Sequence, residues 1–508
     1  MAKYSSKPQT IQSNSFDAYK ALDLIDFGDI DGLYDPNISE YFIDDNYWEQ
    51  LVEGRKFFVI GRKGTGKSAI YNWIHAQQGD KGTLVSNLSF KTFPFEKFLQ
   101  LTDDDFSRPN QYQSIWRNII LSEIAKHIII DEKSSINDDY IQIRSYVGYK
   151  FGTDLNDLHK KVTKQTTKTT SGLFLQGSGI GYTSETAKDL GDELTNITLI
   201  NAQLEQLIKG YLKTSSTSSY IIQFDQLDDN YTTYIKNDHY FQSIISLFKV
   251  VYDLNQTFHQ ISVPVKIICY LRSDIFYEIN NYDAESARWD QFKLQLNWAI
   301  INRSDWDNPA LLKLLNSRIK RSLVDIKDQN PFFKIFNPTN ISLLNNNSSK
   351  QSVFAYMVKK SLHRPRDIVQ FCIKIQEDAR KWKKLNVKNI LDAEKEYSSW
   401  LLGELANEFG PLVLDKSKLY EFLRNLGESH ISFNVFRSKY APYENKIGLD
   451  AEQLLKLLYR LGIIFNVNKT LKHTEYFSVI RNEKSSYNSS LNILLHPGFN
   501  KGLHTFRE

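Results

Sequence analysis

The sequence predicts an α/β fold built on a parallel sheet, continued by a helical segment and a smaller C-terminal domain. Three observations carry that expectation. The apolar run Phe57-Phe58-Val59-Ile60 leads directly into a glycine-rich loop. Further short apolar runs follow, separated by stretches of helical length, which is the alternation expected of a parallel sheet. Past residue 393 the pattern changes to helices followed by two β-rich runs. At 508 residues the chain is too long for one core, and about three domains are expected.

In chain order, residues 1–30 read as a polar N-terminal tail and 31–300 as the core. Trp48 and Leu51 suggest one face of a short helix that delivers the chain into the first strand. The second strand is expected at Thr83-Leu84-Val85-Ser86-Asn87-Leu88, and apolar residues recur at helical spacing from Ser114 to Ile130. Residues 161–188 are rich in Thr, Ser and Gly and read as an inserted hairpin or loop, with a ligand or partner clamp as the alternative. No strand-to-helix context there supports a second phosphate loop. Helical periodicity resumes from Leu194 to Leu212 and leads to a buried strand, Tyr220-Ile221-Ile222-Gln223-Phe224. A third strand, Val265 to Leu271, and the alternation Phe292, Leu294, Leu296, Trp298 complete the expected sheet. Residues 301–388 are expected to form a helical segment, with a helix over Leu311 to Leu323, and 389–508 a separate domain.

The loop itself reads Gly61-Arg62-Lys63-Gly64-Thr65-Gly66-Lys67-Ser68, the G-x-x-x-x-G-K-[ST] spacing of a phosphate loop, with Ala69 in the helix that follows. Each residue type has a physical reason. Gly61, Gly64 and Gly66 let the backbone curl so that successive N–H groups converge on an anion. Lys67 supplies a point charge for the β- and γ-phosphates, Ser68 a hydroxyl ligand for Mg²⁺, and the helix its positive end. ATP and Mg²⁺ are the expected cofactors.

Asp225-Gln226-Leu227-Asp228-Asp229 places acids at the tip of a buried strand. Asp225 is the expected outer carboxylate for the metal, and Asp228, with Asp229 as a weaker choice, the group that orients or deprotonates water. The bland alternative is that these acids cap the next helix.

With these residues together, the chain resembles STAND or AAA+ type P-loop ATPases: a parallel-sheet P-loop NTPase core with a helical lid and a C-terminal winged-helix-like domain. Asp225 to Asp229 is similar to the extended acidic motif of STAND and NACHT proteins, with Gln226 where many AAA+ enzymes place a catalytic glutamate, so slow turnover is implied. The resemblance implies that Arg272, in Leu271-Arg272-Ser273-Asp274, senses the γ-phosphate, the alternative being a capping Ser273 or Asp274 beside a solvated arginine. His363-Arg364-Pro365-Arg366-Asp367 resembles the second sensor region of such lids, which implies Arg366 first and Arg364 second as phosphate-reaching groups. The segment around Trp48 is implied to pack near an adenine ring. Glu452 to Leu461, stopped at Gly462, with Ile463 to Val467 and Tyr476 to Ile480, resembles a winged helix. Its only strong cations on that helix are Lys456 and Arg460, which favours partner contact over DNA reading. His496-Pro497 near the end is similar to stand-alone bacterial P-loop ATPases of anti-phage defence loci.

Composition excludes other classes. No apolar run approaches the ~18 residues of a membrane span, so no membrane association is expected. Two cysteines build neither a disulfide framework nor a zinc site, and a reducing cytoplasm is the expected setting. A net charge of +4 is too small to imply nucleic acid by itself. The expectation is an ATP-binding and hydrolysing switch that self-assembles as a homo-oligomer, takes an arginine from a neighbouring subunit, and controls a separate effector. The rival is a DNA-binding initiator or transposition helper that grips duplex with the winged helix and Arg380-Lys381-Trp382-Lys383-Lys384. A small-molecule kinase leaves Arg272 and Arg366 without a use and is disfavoured.

Overall fold

The computed structural model describes residues 16–79, 82–89, 112–151, 188–215, 218–228, 238–279, 282–283, 286–307, 309–336, 340–342, 350–427, 430–470 and 474–504. The chain divides into two compact units. One comprises Asp44–Arg62 and Lys67–Leu296; the other comprises Met1–Ile43, Lys63–Gly66 and Asn297–Glu508.

The first unit is built on five parallel strands, β1 (Phe58–Gly61), β2 (Thr83–Ser89), β3 (Ser219–Asp225), β4 (Val265–Arg272) and β5 (Lys293–Gln295). Their order across the sheet is β2-β3-β4-β1-β5. β4 therefore separates β1 from β3, with Gly61 opposite Arg272 and Phe224 opposite Cys269. Because all strands run the same way, Gly61, Asp225 and Arg272 end at one edge of the sheet, where the loops of open α/β folds carry their chemistry. β1 is buried on both faces, as its unbroken apolar run requires, and Phe58 stacks on Phe248 with ring centroids 4.3 Å apart. The helices Gln113–Ile130 and Lys188–Ser215 coincide with the helical periodicities, and the first is buried almost all round; the helix Asp238–Gln260 was not among the expected elements. β5 is shorter than the alternation from Phe292 to Trp298 predicts: Phe292 ends the 3₁₀ turn Ser286–Phe292, and the strand stops at Gln295. In front of β1, the expected short helix is a single π turn, Glu49–Glu53.

A buried amide ties this sheet together from inside. Gln223 is wholly buried on β3, donates to the Tyr71 carbonyl (3.2 Å) and Asn87 Oδ1 (3.0 Å), and accepts from the Tyr270 hydroxyl (2.6 Å). A polar residue survives at this position because both ends of its amide are satisfied.

In the second unit the helical segment and the C-terminal region share one continuous apolar core, running from Ala21 to Leu503. Both sides of the expected boundary at 388/389 lie in this unit. Helices Pro365–Trp382 and Val387–Phe409 lie on either side of it, and both bury apolar residues in that core. The expected polar tail also ends earlier than residue 30. Ala18–Leu24 is a helix capped by Asp17, and Ala21, Leu22, Ile25 and Phe27 are core residues. Gln376 Nε2 holds this helix by its last carbonyls, those of Leu22 (2.6 Å) and Ile25 (2.7 Å). Four apolar residues scattered in a polar stretch were too few to show as a periodicity.

Towards the C-terminus, the helix Ala451–Arg460 has an Asp450/Gln453 capping box and leads to β8 (Ile464–Lys469) and β9 (Thr474–Phe477). A third strand, β10 (Asn492–Leu495), completes an antiparallel sheet of order β10-β8-β9. The expected second β-run stops at Phe477, and Val479 and Ile480 turn into the core instead. β6 (Asn340–Ser342) and β7 (Lys350–Ser352) form a separate antiparallel pair.

Gln223→Leu removes the acceptor of the Tyr270 hydroxyl and the donor to Asn87 and leaves buried polar atoms behind. It is expected to destabilise the protein by about 2–4 kcal/mol, read as a lower urea midpoint at unchanged slope.

Candidate functional site

The glycine loop connects the end of β1 to the helix Lys67–Ala76. Gly64 and Gly66 have φ of 81° and 96°, a region side chains with a Cβ rarely adopt, so the sequence spacing is a backbone requirement. A Cβ at Gly64 would lie 3.2 Å from Arg366 Cβ, whereas one at Gly66 would meet nothing within 4 Å. The loop is divided between the units: Gly61, Arg62, Lys67 and Ser68 belong with the sheet, and Lys63 to Gly66 with the C-terminal unit. Thr65 is buried, and Ala69 is half-buried in the first turn of the helix.

Lys67 is buried, and its ammonium donates to the carbonyls of Gly61 (2.9 Å) and Arg62 (3.1 Å). Burial lowers its pKa below the ordinary lysine value, against the opposing pull of Asp228 and Asp225. Asp225 is buried at the end of β3 and hydrogen-bonded to the Ser68 side chain. Burial raises its carboxyl to about 6, the Gln226 amide and Ser68 pulling the other way. Its Oδ2 is buried and has no hydrogen-bond partner. A hydroxyl beside a carboxylate oxygen with an unused lone pair is the hard donor set that Mg²⁺ takes, so Ser68 and Asp225 fit the expected metal. Among the described residues no three His, Cys, Asp or Glu side chains cluster as a metal site.

Arg272, in register with Gly61, makes a two-pronged pair with Asp274 (Nε 3.0 Å, Nη2 2.7 Å), and its Nη1 lies 3.8 Å from Asp228 Oδ2. The structure thus brings together Lys67, Ser68, Asp225, Asp228 and Arg272 and adds Asp274, which the sequence offered only as a helix cap. Gln226 adopts φ 59° and its amide oxygen accepts from Ser89 on β2, so it is directed to the sheet edge. Asp229 and the segment 161–187 lie outside the described residues. Trp48 packs edge-on against Trp73, with centroids 6.2 Å apart.

In the C-terminal unit the two candidate arginines behave differently from their expected ranking. The Arg366 guanidinium is drawn to Glu404 (2.9 Å) and the Ile30 carbonyl (3.2 Å). The Arg364 guanidinium, nearly fully buried, pairs with Asp367 (2.7 Å) and donates to the Lys63 carbonyl in the loop (3.1 Å). Burial pulls against its charge, but the Asp367 carboxylate more than compensates and holds its pKa above the ordinary value. Lys63 itself lies 3.9 Å from Glu408. The i,i+3 spacing of Arg364 and Asp367 was a readable signal for this pair; nothing in the sequence pointed to Trp298, whose indole donates to the Thr65 carbonyl (2.9 Å).

Residues 309–406 match the FunZ-associated C-terminal helical domain. That span includes the helices from Ala310–Ser322 to Pro365–Trp382 and most of Val387–Phe409, and so crosses the expected boundary at 388. Over 95% of its length the chain is also similar, at 23% identity, to a putative transposon gamma-delta 80.3 kDa protein of Escherichia coli (strain K12), 67% of which is covered. No helix among the described residues is long and apolar enough to cross a membrane.

A carboxyl whose folded pKa lies above its unfolded value contributes stability that is full below the unfolded pKa and lost as pH rises through the folded one. For Asp225 that window runs from 3.8 to about 6. In the absence of nucleotide and metal, Asp225→Asn is therefore expected to gain on the parent as pH rises through the window, by about 3 kcal/mol at most. Urea midpoints of both proteins between pH 4.5 and 7 measure the gain.

Proposed function

We propose that this protein is an ATP-binding and hydrolysing molecular switch with a STAND/AAA+-like P-loop core. The observation that carries the reading is the convergence of Lys67, Ser68, Asp225, Asp228 and Arg272 at one edge of the sheet. The strand order, with β4 between the loop strand and the acidic strand, supports it independently.

In this reading the backbone N–H groups of the loop and the Lys67 ammonium bind the β- and γ-phosphates, and Lys67 exchanges its two loop carbonyls for phosphate oxygens. Ser68 and Asp225 would hold Mg²⁺, which would supply charge neutralisation on the phosphates. Asp228 orients the attacking water, and Arg272, held by Asp274, lies beside it with Nη1 3.8 Å from Asp228 Oδ2. With Gln226 turned to Ser89, no carboxylate stands directly after Asp225 to act as base, in keeping with slow turnover. Self-assembly, a separate effector and a role in bacterial anti-phage defence complete the proposal and rest on the family resemblance alone.

A second reading, a DNA-binding ATPase, is favoured by one feature. Trp382 is 61% exposed at the end of its helix, among exposed Lys381, Lys383 and Lys384. An exposed aromatic among cations is a surface on which nucleic acid binds. The similarity to a protein named for a transposon points the same way. Against it, Lys456 on the winged-helix candidate is paired with Glu452 (2.7 Å), which cancels its charge.

Titration with a fluorescent ATP analogue tests the first reading. Lys67→Ala is expected to weaken binding by about 10- to 100-fold, and Asp225→Asn to abolish Mg²⁺-dependent hydrolysis; a Lys67→Ala protein that binds like the parent overturns the reading. Filter binding to duplex DNA over a salt series tests the second. A steep salt slope that flattens in Lys381→Glu/Lys383→Glu would establish it, and salt-insensitive, weak retention would dismiss it.

A further inference from the structure

Three successive carbonyls of the loop are each held by a donor from the C-terminal part of the chain. Arg364 Nη1 donates to Lys63 O (3.1 Å), the Arg366 backbone N–H to Gly64 O (3.4 Å), and Trp298 Nε1 to Thr65 O (2.9 Å). All of these residues belong to one compact unit. In a trans peptide the C=O and the following N–H point in opposite directions. Fixing the carbonyls of Lys63, Gly64 and Thr65 on the donor side therefore fixes the N–H groups of Gly64, Thr65 and Gly66 on the other. A bare loop of three glycines has no such preference, since each glycine leaves its flanking peptide planes free to rotate.

We infer that Trp298 and Arg364 are positioning residues: they set the loop's peptide planes in advance, so that three consecutive N–H donors are aimed before an anion arrives. The inference rests on the proposed phosphate-binding reading and deepens it. Arg364 fits this role because its charge is already matched by buried Asp367, which leaves Nη1 to hold a carbonyl. Trp298 is suited to it as a neutral donor: its indole has one N–H and no acceptor, so it fixes the Thr65 carbonyl without adding charge beside the loop. Neither side chain needs to touch phosphate. Gly64 suits this approach because its φ is +81° and a Cβ there would press on Arg366 Cβ at 3.2 Å.

The test is the affinity of Trp298→Phe for tripolyphosphate, ATP and adenosine, each measured by calorimetry beside the parent and Lys67→Ala. Phenylalanine keeps an aromatic ring and deletes the donor. Expected is a loss of about five- to tenfold for tripolyphosphate and ATP, the worth of one neutral hydrogen bond, with adenosine unchanged and the melting temperature close to the parent's. The double variant Arg364→Met/Asp367→Leu, which deletes the donor together with its buried charge partner, reports on the second contact where Trp298→Phe melts early, and its loss must again be confined to the phosphate-bearing ligands. Equal affinity of parent and both variants for tripolyphosphate overturns the inference while leaving ATP binding intact. A parent that binds no better than Lys67→Ala overturns the phosphate-binding reading itself.

Discussion

The arrangement of the sheet unit turns on a buried ammonium. Lys67 sits at the start of a helix, out of water, and a cation in that position is tolerated only if its donors are used and opposite charge is near. The Gly61 and Arg62 carbonyls take its protons. Asp225 and Asp228 supply the charge, and they do so from the far side of β4. That geometry requires β1, β4 and β3 to end close together: β1 and β4 end in register, Gly61 opposite Arg272, and β3 ends at Asp225, one residue past the Phe224–Cys269 pair. Arg272 would oppose Lys67 at this edge; its bidentate pairing with Asp274 reduces that repulsion. A one-residue slip in any of these parallel pairings would bring an apolar side chain to the edge instead.

Much of this was legible in the sequence, because it follows from local rules. Strands buried on both faces read as unbroken apolar runs, and β1, β2, β3 and β4 were found to within a residue or two. The loop spacing encodes a backbone shape, and Gly64 and Gly66 take the positive φ that it demands. Features that depend on distant partners were less visible. Gln223 looks like an interruption of a strand until Asn87, Tyr71 and Tyr270 are placed around it. The helix Ala18–Leu24 has too few apolar residues to announce itself and owes its place to Gln376 and the shared core. β10 was missed because Leu491 to Leu495 is short and far along the chain from the β8 residues it pairs with.

The C-terminal unit shows why charged motifs mislead when read singly. Arg364 and Arg366 are equivalent in sequence, each two residues from the other and beside Pro365. Their environments separate them. Asp367, three residues on, lies on the same side of the first helical turn as Arg364 and captures it, whereas Arg366 faces Glu404 on the next helix. Deeper in this unit, Glu394 is buried between Lys360 and Lys501 (both 2.8 Å) and ties the helix Val387–Phe409 to the end of the chain. Such a triad is costly to break, because removing one partner leaves a buried charge uncompensated. Its members come from both the expected lid and the expected C-terminal domain, which share one apolar core.

Asp225 Oδ2 is one of several buried side-chain atoms without a hydrogen-bond partner among the described residues, and it lies at the end of β3 beside the loop. Around it, polar groups are satisfied: Ser68 reaches its carboxylate, the Gln226 amide supports it, and Gln223 two residues earlier is fully bonded. Yet Oδ2 is buried with no donor, an omission that costs about 1–3 kcal/mol in a folded protein. Burial penalises both the Asp225 carboxylate and the Lys67 ammonium, so the pair is a poor source of stability. Folds keep such a group where its unused valence is the point of the site. In the proposed reading the carboxylate that burial penalises is also the one that would accept a hard cation, which would join the stability of the sheet to its chemistry.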